Sequence, residues 1–548
     1  MQEMEDRYER PEPDFSGADY DAADLEPQAL TPPQRRRILW AVVILTALVL
    51  LAVLPPLVSM NRFRRQISGS ISASLGRPVH LDSVTLNMLP MPGFTLGNFV
   101  VGEDPAFGFE PVIRADSVRV TLRVRSLWRR RVEFSRISLT DPSVNLVRRD
   151  DGRWNIESIL LHASRITTAP TAQKTAGDAP RFPYIEATGA RVNVKMGLEK
   201  LPISLTEADF ALWLPQPEQW RLRLEGRPTR TDSAPTDTGL LRVQGTLGKA
   251  TAMQDVPVDL SAEWRSAPLG GVSRVLVGHD TGLRGDMTLQ TTLVGTLGTN
   301  VIASHLELQQ VRRSDFVPAQ TLAADLTCKA RAEAVFQRLS DVHCAWPTGV
   351  QSGGMTLAGE LPQVKMPNSF VGTAALTDVP AQSFVDALRI VSARVPPELN
   401  VGGTIAANLQ CCASQAKPSG DFSVEHGLLK FGDAPAFFDG SVAGELSAEQ
   451  ITLRPLALDL GGPAPATLDG HADRTGCEMH LTGSVTRARL MLMAQAVPQF
   501  GDGLMEILPE GDEVQRVDLV AHRTWSGGQA WFAAPVRVGP SRRRSKRK

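Results

Sequence analysis

The chain has 548 residues, 58 Lys and Arg against 59 Asp and Glu, and a formal net charge of −1. It is too long for one ordinary compact domain and long enough for a large buried interior. Near-neutral charge argues against a nucleic-acid binder, which carries a basic excess, and the five cysteines lack the paired spacing of a zinc site.

Residues 1–34 are acidic, rich in Pro, Asp and Glu, and poor in apolar groups. Such a segment cannot bury enough surface to offset its chain entropy, so residues 1–37 read as a disordered tail. Residues 38–54 then read ILWAVVILTALVLLAVL, an uncharged apolar run that Leu57 and Val58 extend past Pro55 and Pro56. A spanning helix needs at least about 17 apolar residues, so residues 38–58 are expected to form a transmembrane anchor. A cleaved signal peptide would instead need a short basic start and a small-residue cleavage site, whereas a long acidic stretch precedes this run and LPPLVSMNRF follows it. Arg35, Arg36 and Arg37 on one side balance Arg62, Arg64 and Arg65 on the other, so charge alone does not orient the span.

Residues 59–162 form the next module. Phe63, Ile67, Ile71 and Leu75 recur every four residues and predict a helix over 61–75, ended by Gly76 and Pro78. Arg62, Arg64 and Arg65 fall in its first turn, where they are ordinary juxtamembrane residues or headgroup contacts. Strand patterns follow over 79–88 and 94–101. The clearest alternation is Val118, Val120, Leu122 and Val124 against Arg119, Thr121, Arg123 and Arg125, a half-buried strand with one wet face. Arg129, Arg130 and Arg131 occupy the next turn, either solvated or facing anionic headgroups. A strand at 143–147 precedes Trp154 and Asn155, which are expected to lock a short helix, 156–161, to the sheet.

Residues 163–181 carry no periodicity and read as a flexible linker. Residues 182–535 return to short alternating strands that end at glycine or proline, with no fixed period that would mark a solenoid. Short helices are predicted at 269–277, 381–393 and 487–496. Phe384, Leu388 and Val391 make an apolar stripe on the second, expected to pack against the sheet. Cys328 and Cys344 could face each other across a hairpin and close a disulfide outside the cytosol, or serve as small core hydrophobes. The basic end, 536–548, reads as a disordered tail, solvated or touching anionic lipid.

No nucleophile elbow, HExxH or phosphate-binding glycine loop is found, and the nine histidines are scattered. The expectation is a non-enzyme with no catalytic residues, no cofactor and no metal.

Several segments in order, ASLGRPVHLDSVTL, MPGFTLGNFVVGEDPAFGFEP and LTDPSVNLVRRDDGRWN, resemble the N-terminal module of the AsmA family. The matching positions are Leu75 to Val79, Pro90 to Gly93, Asp104 to Pro111 and Arg149 to Asn155. The likeness continues through YIEATGARVNVKMGLEKLPISL to about Met287 and thins beyond it. The resemblance implies a bacterial inner-membrane protein, residues 1–37 cytoplasmic and 59–548 periplasmic. It implies a mainly β fold: one N-terminal transmembrane helix, then an elongated, curved antiparallel sheet with a few short helices. Roughly thirty strands would extend on the order of 140 Å at their usual spacing. The concave apolar face would hold acyl chains, with Val118, Val120, Leu122 and Val124 as lipid-groove positions. Arg62, Arg64, Arg65, Arg129, Arg130 and Arg131 are the candidate headgroup contacts. The expected partners are phospholipid or another membrane lipid and the inner membrane, with no nucleic acid. The alternative reading is a scaffold for outer-membrane protein assembly, holding an assembly partner at sheet edges.

Overall fold

The computed structural model describes residues 36–49 other than 38 and 48. It also describes 64–535 other than 89–90, 124–133, 160–182, 198, 217–218, 235, 320–321, 348–352, 367–368, 392–394, 412–418, 448–449, 474, 497–510, 512 and 525–531. The chain divides into two compact units, Met1–Val58 and Ser59–Lys548. In the first, residues 39–47 are helical. Among the described residues no helix is long and apolar enough to cross a membrane, and the predicted span at 38–58 lies partly outside them. The linker at 163–181 and the tail at 536–548 also lie outside the described residues.

The second unit opens with helix α1 (Arg64–Leu75). The first strands are β1 (Val79–His80), β2 (Ser83–Asn87), β3 (Gly93–Val101), β4 (Ile113–Leu122), β5 (Phe134–Thr140) and β6 (Ser143–Arg148). Then come β7 (Tyr184–Met196), β8 (Glu199–Gln216), β9 (Gln219–Arg230), β10 (Leu240–Gly248) and β11 (Pro257–Pro268). Helix α2 (Leu269–Val277) precedes β12 (Leu283–Thr296), β13 (Asn300–Arg313), β14 (Leu322–Glu333), β15 (Arg338–Pro347), β16 (Gly354–Leu361) and β17 (Val371–Pro380). Helix α3 (Ala381–Val391) precedes β18 (Leu399–Cys411), β19 (Ser419–Phe431), β20 (Phe438–Ser447), β21 (Gln450–Leu458), β22 (Ala466–Ala472) and β23 (Gly476–Val485). Helix α4 (Arg487–Ala496), β24 (Gln515–Thr524) and β25 (Phe532–Pro535) complete the unit. The predicted helices at 269–277 and 487–496 therefore stand as read, and the one at 381–393 is described to Val391.

All these strands join one 25-stranded sheet. From β7 onward each strand pairs antiparallel with the next, through short connections except where α2, α3 and α4 intervene. The expected antiparallel sheet is corrected at one place. β5 and β6 lie end to end along β7 and both run parallel to it, Ile137 opposite Ile185 and Val144 opposite Val192. Parallel neighbours require a long crossover, and residues 149–183 supply its length.

Strand direction fixes where the helices lie. Antiparallel neighbours alternate, so connections after β11, β17 and β23 emerge on one rim of the sheet, and these carry α2, α3 and α4. β1 runs antiparallel to β3 and starts from that rim, which places α1 there too. Six strands separate α2 from α3, and six separate α3 from α4. This is a structural period that residue identities did not disclose. The first two units recur in their backbone: a left-handed residue (Ser266, Asp378) stands just before a buried small or branched one (Ala267, Val379), and in the third Gly483 lies two residues before buried Val485. Helices α2 and α3 are each followed by a bulged strand with a glycine in the left-handed region, Gly285 in β12 and Gly403 in β18. A Cβ at either would come 2.5 Å from a carbonyl oxygen of the neighbouring strand. Gly285→Ala is therefore expected to cost about 1–3 kcal/mol, read as a shift in the denaturant midpoint.

The packed core is local to the helices. α1 covers Leu96, Val118 and Val120; α2 covers Ala267 and Met287; α4 sits over Leu468, Leu481 and Leu519. Helix α3 corrects an expectation. Its predicted stripe, Phe384, Leu388 and Val391, is exposed by 47%, 43% and 83%. The buried side carries Ala381, Asp386, Arg389 and Ile390. Arg389 sets this orientation: it donates to Asp386 at 2.6 Å, to the Pro396 carbonyl at 2.8 and 3.0 Å, and to the Leu399 carbonyl. Those carbonyls end the α3–β18 connection, and a charged donor that satisfies them holds the helix more firmly than an apolar stripe alone.

Candidate functional site

Cross-strand partners point to the same face of a sheet, so the register defines the two faces residue by residue. One line of partners passes from Leu86 through Phe94, Val120, Ile137, Ile185, Leu212, Leu222, Gly245, Leu260, Leu293 and Ile302 to Ala330. A parallel line, two residues away along β4, begins Val84, Leu96, Val118, Leu139, Ala187, Phe210, Leu224, Val243 and Ala262. It continues through Thr291, Ser304, Cys328, Cys344, Leu357, Ala374, Leu409, Gly420, Leu446 and Ile451 to Ala472. Every member is apolar or small. The line between them, on the opposite face, runs Thr95, Arg119, Ser138, Glu186, Ala211, Arg223, Gln244, Ser261, Thr292, Ala303, Lys329 and His343. One face is thus lined by apolar or small residues across twenty strands, and the other is mostly polar.

The helices roof the apolar face only along their rim. Away from them Leu293, Ile302, Leu326, Leu357 and Leu446 are half-buried by their neighbours, while Leu409 and Ile451 are 37% and 46% exposed. All 25 strands belong to one sheet, so among the described residues no second sheet covers these side chains. An apolar face left open to water over this length needs something to cover it.

The predicted positions fall in the roofed part. Val118, Val120 and Leu122 are buried, the first two in a cluster with Ile67, Ile71 and Leu75 of α1. Arg64 donates to the Asp82 carbonyl at 3.1 Å and Arg65 is exposed. Val124, Arg62, Arg129, Arg130 and Arg131 lie outside the described residues. The open stretch, β12 to β21, was not singled out beforehand. Its signal was present as alternate leucines in MTLQTTLVG and HLELQ, a pattern shared by any half-buried strand.

The motif residues of the N-terminal module converge on one buried polar knot. Arg77 sits 3.5 Å from Glu103 and 3.3 Å from Asp104, and donates to Ser158 Oγ at 2.8 Å and to the Asn155 carbonyl at 3.1 Å. Asn155 Nδ2 donates to Glu103 at 2.5 Å and to the Asn145 carbonyl at 2.8 Å, and its Oδ1 accepts the Val147 N–H at 3.0 Å. Buried charges persist when paired and hydrogen-bonded in this way. The knot ties the end of α1 to β3 and β6. It is a structural lock.

Cys328 and Cys344 are directly opposite each other and form a disulfide on the apolar face. Their sequence separation of 16 sets the closed loop. Reduction is expected to lower stability by about 3 kcal/mol on the chain-entropy account, measured as the difference between oxidised and reduced denaturation midpoints. Among the described residues no cluster of His, Cys, Asp and Glu is arranged to hold a metal ion.

A single large sheet with one apolar face, anchored by a helix at its first strand, defines the class: a β-sheet protein with an extended, incompletely roofed hydrophobic surface. The family model described as AsmA family matches residues 34–184, so this segment is similar to the AsmA family. The match covers α1, β1 to β6 and the start of β7, and so includes the whole polar knot. A search of curated proteins gave no match, and a search of solved structures gave none.

Proposed function

We propose that this protein is a membrane-anchored lipid carrier of the bacterial periplasm that holds acyl chains along the apolar face of its sheet and supports outer-membrane biogenesis. The observation that carries this reading is the line of apolar and small residues from Val84 to Ala472, interrupted by hydroxyls only at Thr291 and Ser304 and partly exposed between the helices. Transfer of this kind needs no residue chemistry. Each methylene removed from water contributes about 0.8 kcal/mol, so an acyl chain half-covered along about 16 carbons gains roughly 6 kcal/mol. The likeness of residues 34–184 to the AsmA family and the size of the sheet fit this role. In the first unit, Leu39, Trp40, Val43, Ile44 and Leu45 present exposed apolar side chains, which supports an anchor in the inner membrane. The Cys328–Cys344 disulfide supports an oxidising compartment, hence a periplasmic body and a cytoplasmic N-terminus. We assign no enzymatic activity to the chain.

The test is to purify the full chain in mild detergent and identify co-purifying lipid by mass spectrometry. Bound phospholipid in stoichiometric amount is expected. A chain that carries none when isolated directly from membranes sinks the reading. The exposed stripe of Phe384, Leu388 and Val391 favours a second reading, a scaffold for outer-membrane protein assembly. It predicts crosslinks from α3 to an assembly partner in place of bound lipid.

A further inference from the structure

We propose that a cavity on the helix-bearing rim, between α2 and the paired ends of β12 and β13, binds a phosphate group through Arg274, Arg284 and Arg312. The cavity holds about 330 Å³ and is lined by these three arginines together with Asp280 and Asp286. Arg284 and Arg312 are direct cross-strand partners. Like charges in that position oppose each other, which favours an anion beside them.

The acids present are too few to neutralise the group. Asp280 receives a two-pronged contact from Arg284, at 3.0 and 3.2 Å, and also stands 3.5 Å from Arg274. Those contacts from Arg284 hold the Asp280 carboxyl below its ordinary pKa, so it is spoken for as an anion. Arg312 has no carboxylate within ion-pair distance among the described residues. Two carboxylates against three guanidiniums leave one positive charge facing a cavity. Guanidinium forks match phosphate oxygens in geometry as well as charge. A Cβ at Gly270 would come 3.0 Å from Arg284 Nη1, so a glycine there leaves the guanidinium room at the cavity wall.

The site stands on its own geometry. That the phosphate belongs to a lipid headgroup rests on the function proposed above: α2 packs on the apolar face through Leu269 and Val272, so a tail could lie there while its phosphate sits at the rim. Isothermal titration of the full chain in neutral detergent, with inorganic phosphate and with short-chain dihexanoyl phosphatidic acid, tests both points. The lipid is expected to bind at least tenfold more tightly than inorganic phosphate. Arg312→Gln and Arg284→Gln should each weaken both at least tenfold at an unchanged melting temperature, while Arg312→Lys recovers part. If inorganic phosphate binds as tightly as the lipid and remains sensitive to Arg312→Gln, the site holds and its ligand is a free phosphate. Absence of saturable binding, or binding indifferent to both glutamine variants, overturns the proposal. Long-chain phospholipid retained by Arg312→Gln at the unsubstituted level separates failure of this site from failure of the carrier reading.

Discussion

Replacing Leu357 and Leu409 together by aspartate is expected to strip co-purifying phospholipid from the full chain while leaving its fold intact. Both residues belong to the apolar line, and both lie outside the clusters packed beneath the helices. Leu409 is already more than one-third exposed, so a carboxylate there stays in contact with water when the face is empty and stability changes little. When an acyl chain lies across the face, the same carboxylates must lose their water or the chain must lift away. Either alternative costs several kcal/mol, and 1.4 kcal/mol is already tenfold in affinity, so at least a tenfold drop in retained lipid is expected. Circular dichroism and the melting temperature serve as the control. Loss of folding in this pair, or full lipid retention by it, defeats the assignment of this face. The comparison substitution is Val120→Asp on the neighbouring line of the same face. Val120 is buried beneath α1, so a charge there is expected to destabilise the N-terminal module itself, by about 3–5 kcal/mol.

Removing Arg77 is the second large effect. The side chains of Arg77 and Glu103 are 4% and 1% exposed. Truncating one member of a buried ion pair strands the other without solvent, at about 3–5 kcal/mol. Arg77→Ala is therefore expected to loosen α1, β3 and the residues around Asn155. Strands beyond β8 should keep their protection, because each touches mainly its sheet neighbours and destabilisation does not spread along such an array. Hydrogen exchange across the full chain reads this directly: fast exchange confined to residues 64–159 is the expected pattern. The double variant Arg77→Met, Glu103→Leu should regain much of the loss, since well-packed apolar replacements of buried pairs are often neutral. Uniform exchange along the whole sheet would contradict the localised lock.

Much of this protein was legible in its residue order. The alternation of Val118, Val120 and Leu122 with arginine and threonine placed one strand face inward, and the structure buries all three. Glycine and proline marked strand ends, and α2 and α4 run over the residues predicted for them. The AsmA segment was readable because its motif residues, Arg77 and Asn155 among them, form one buried knot that depends on residue identity. Local periodicity and turn chemistry write directly into sequence, since they act over a few neighbouring positions.

Three features waited for the tertiary structure. The period of six strands and a helix is held by backbone bulges and rim geometry, which many residue types satisfy, so no repeated letters announce it. Helix α3 turned its apolar stripe outward because Arg389 found carbonyls at Pro396 and Leu399, partners that exist only once β18 is in place. The openness of the apolar face is likewise a fact of assembly. A leucine in an alternating strand is written the same way whether a helix roofs it, as at Leu481, or no described element does, as at Leu409; covering is decided by which elements arrive opposite it, across distances the local pattern does not encode.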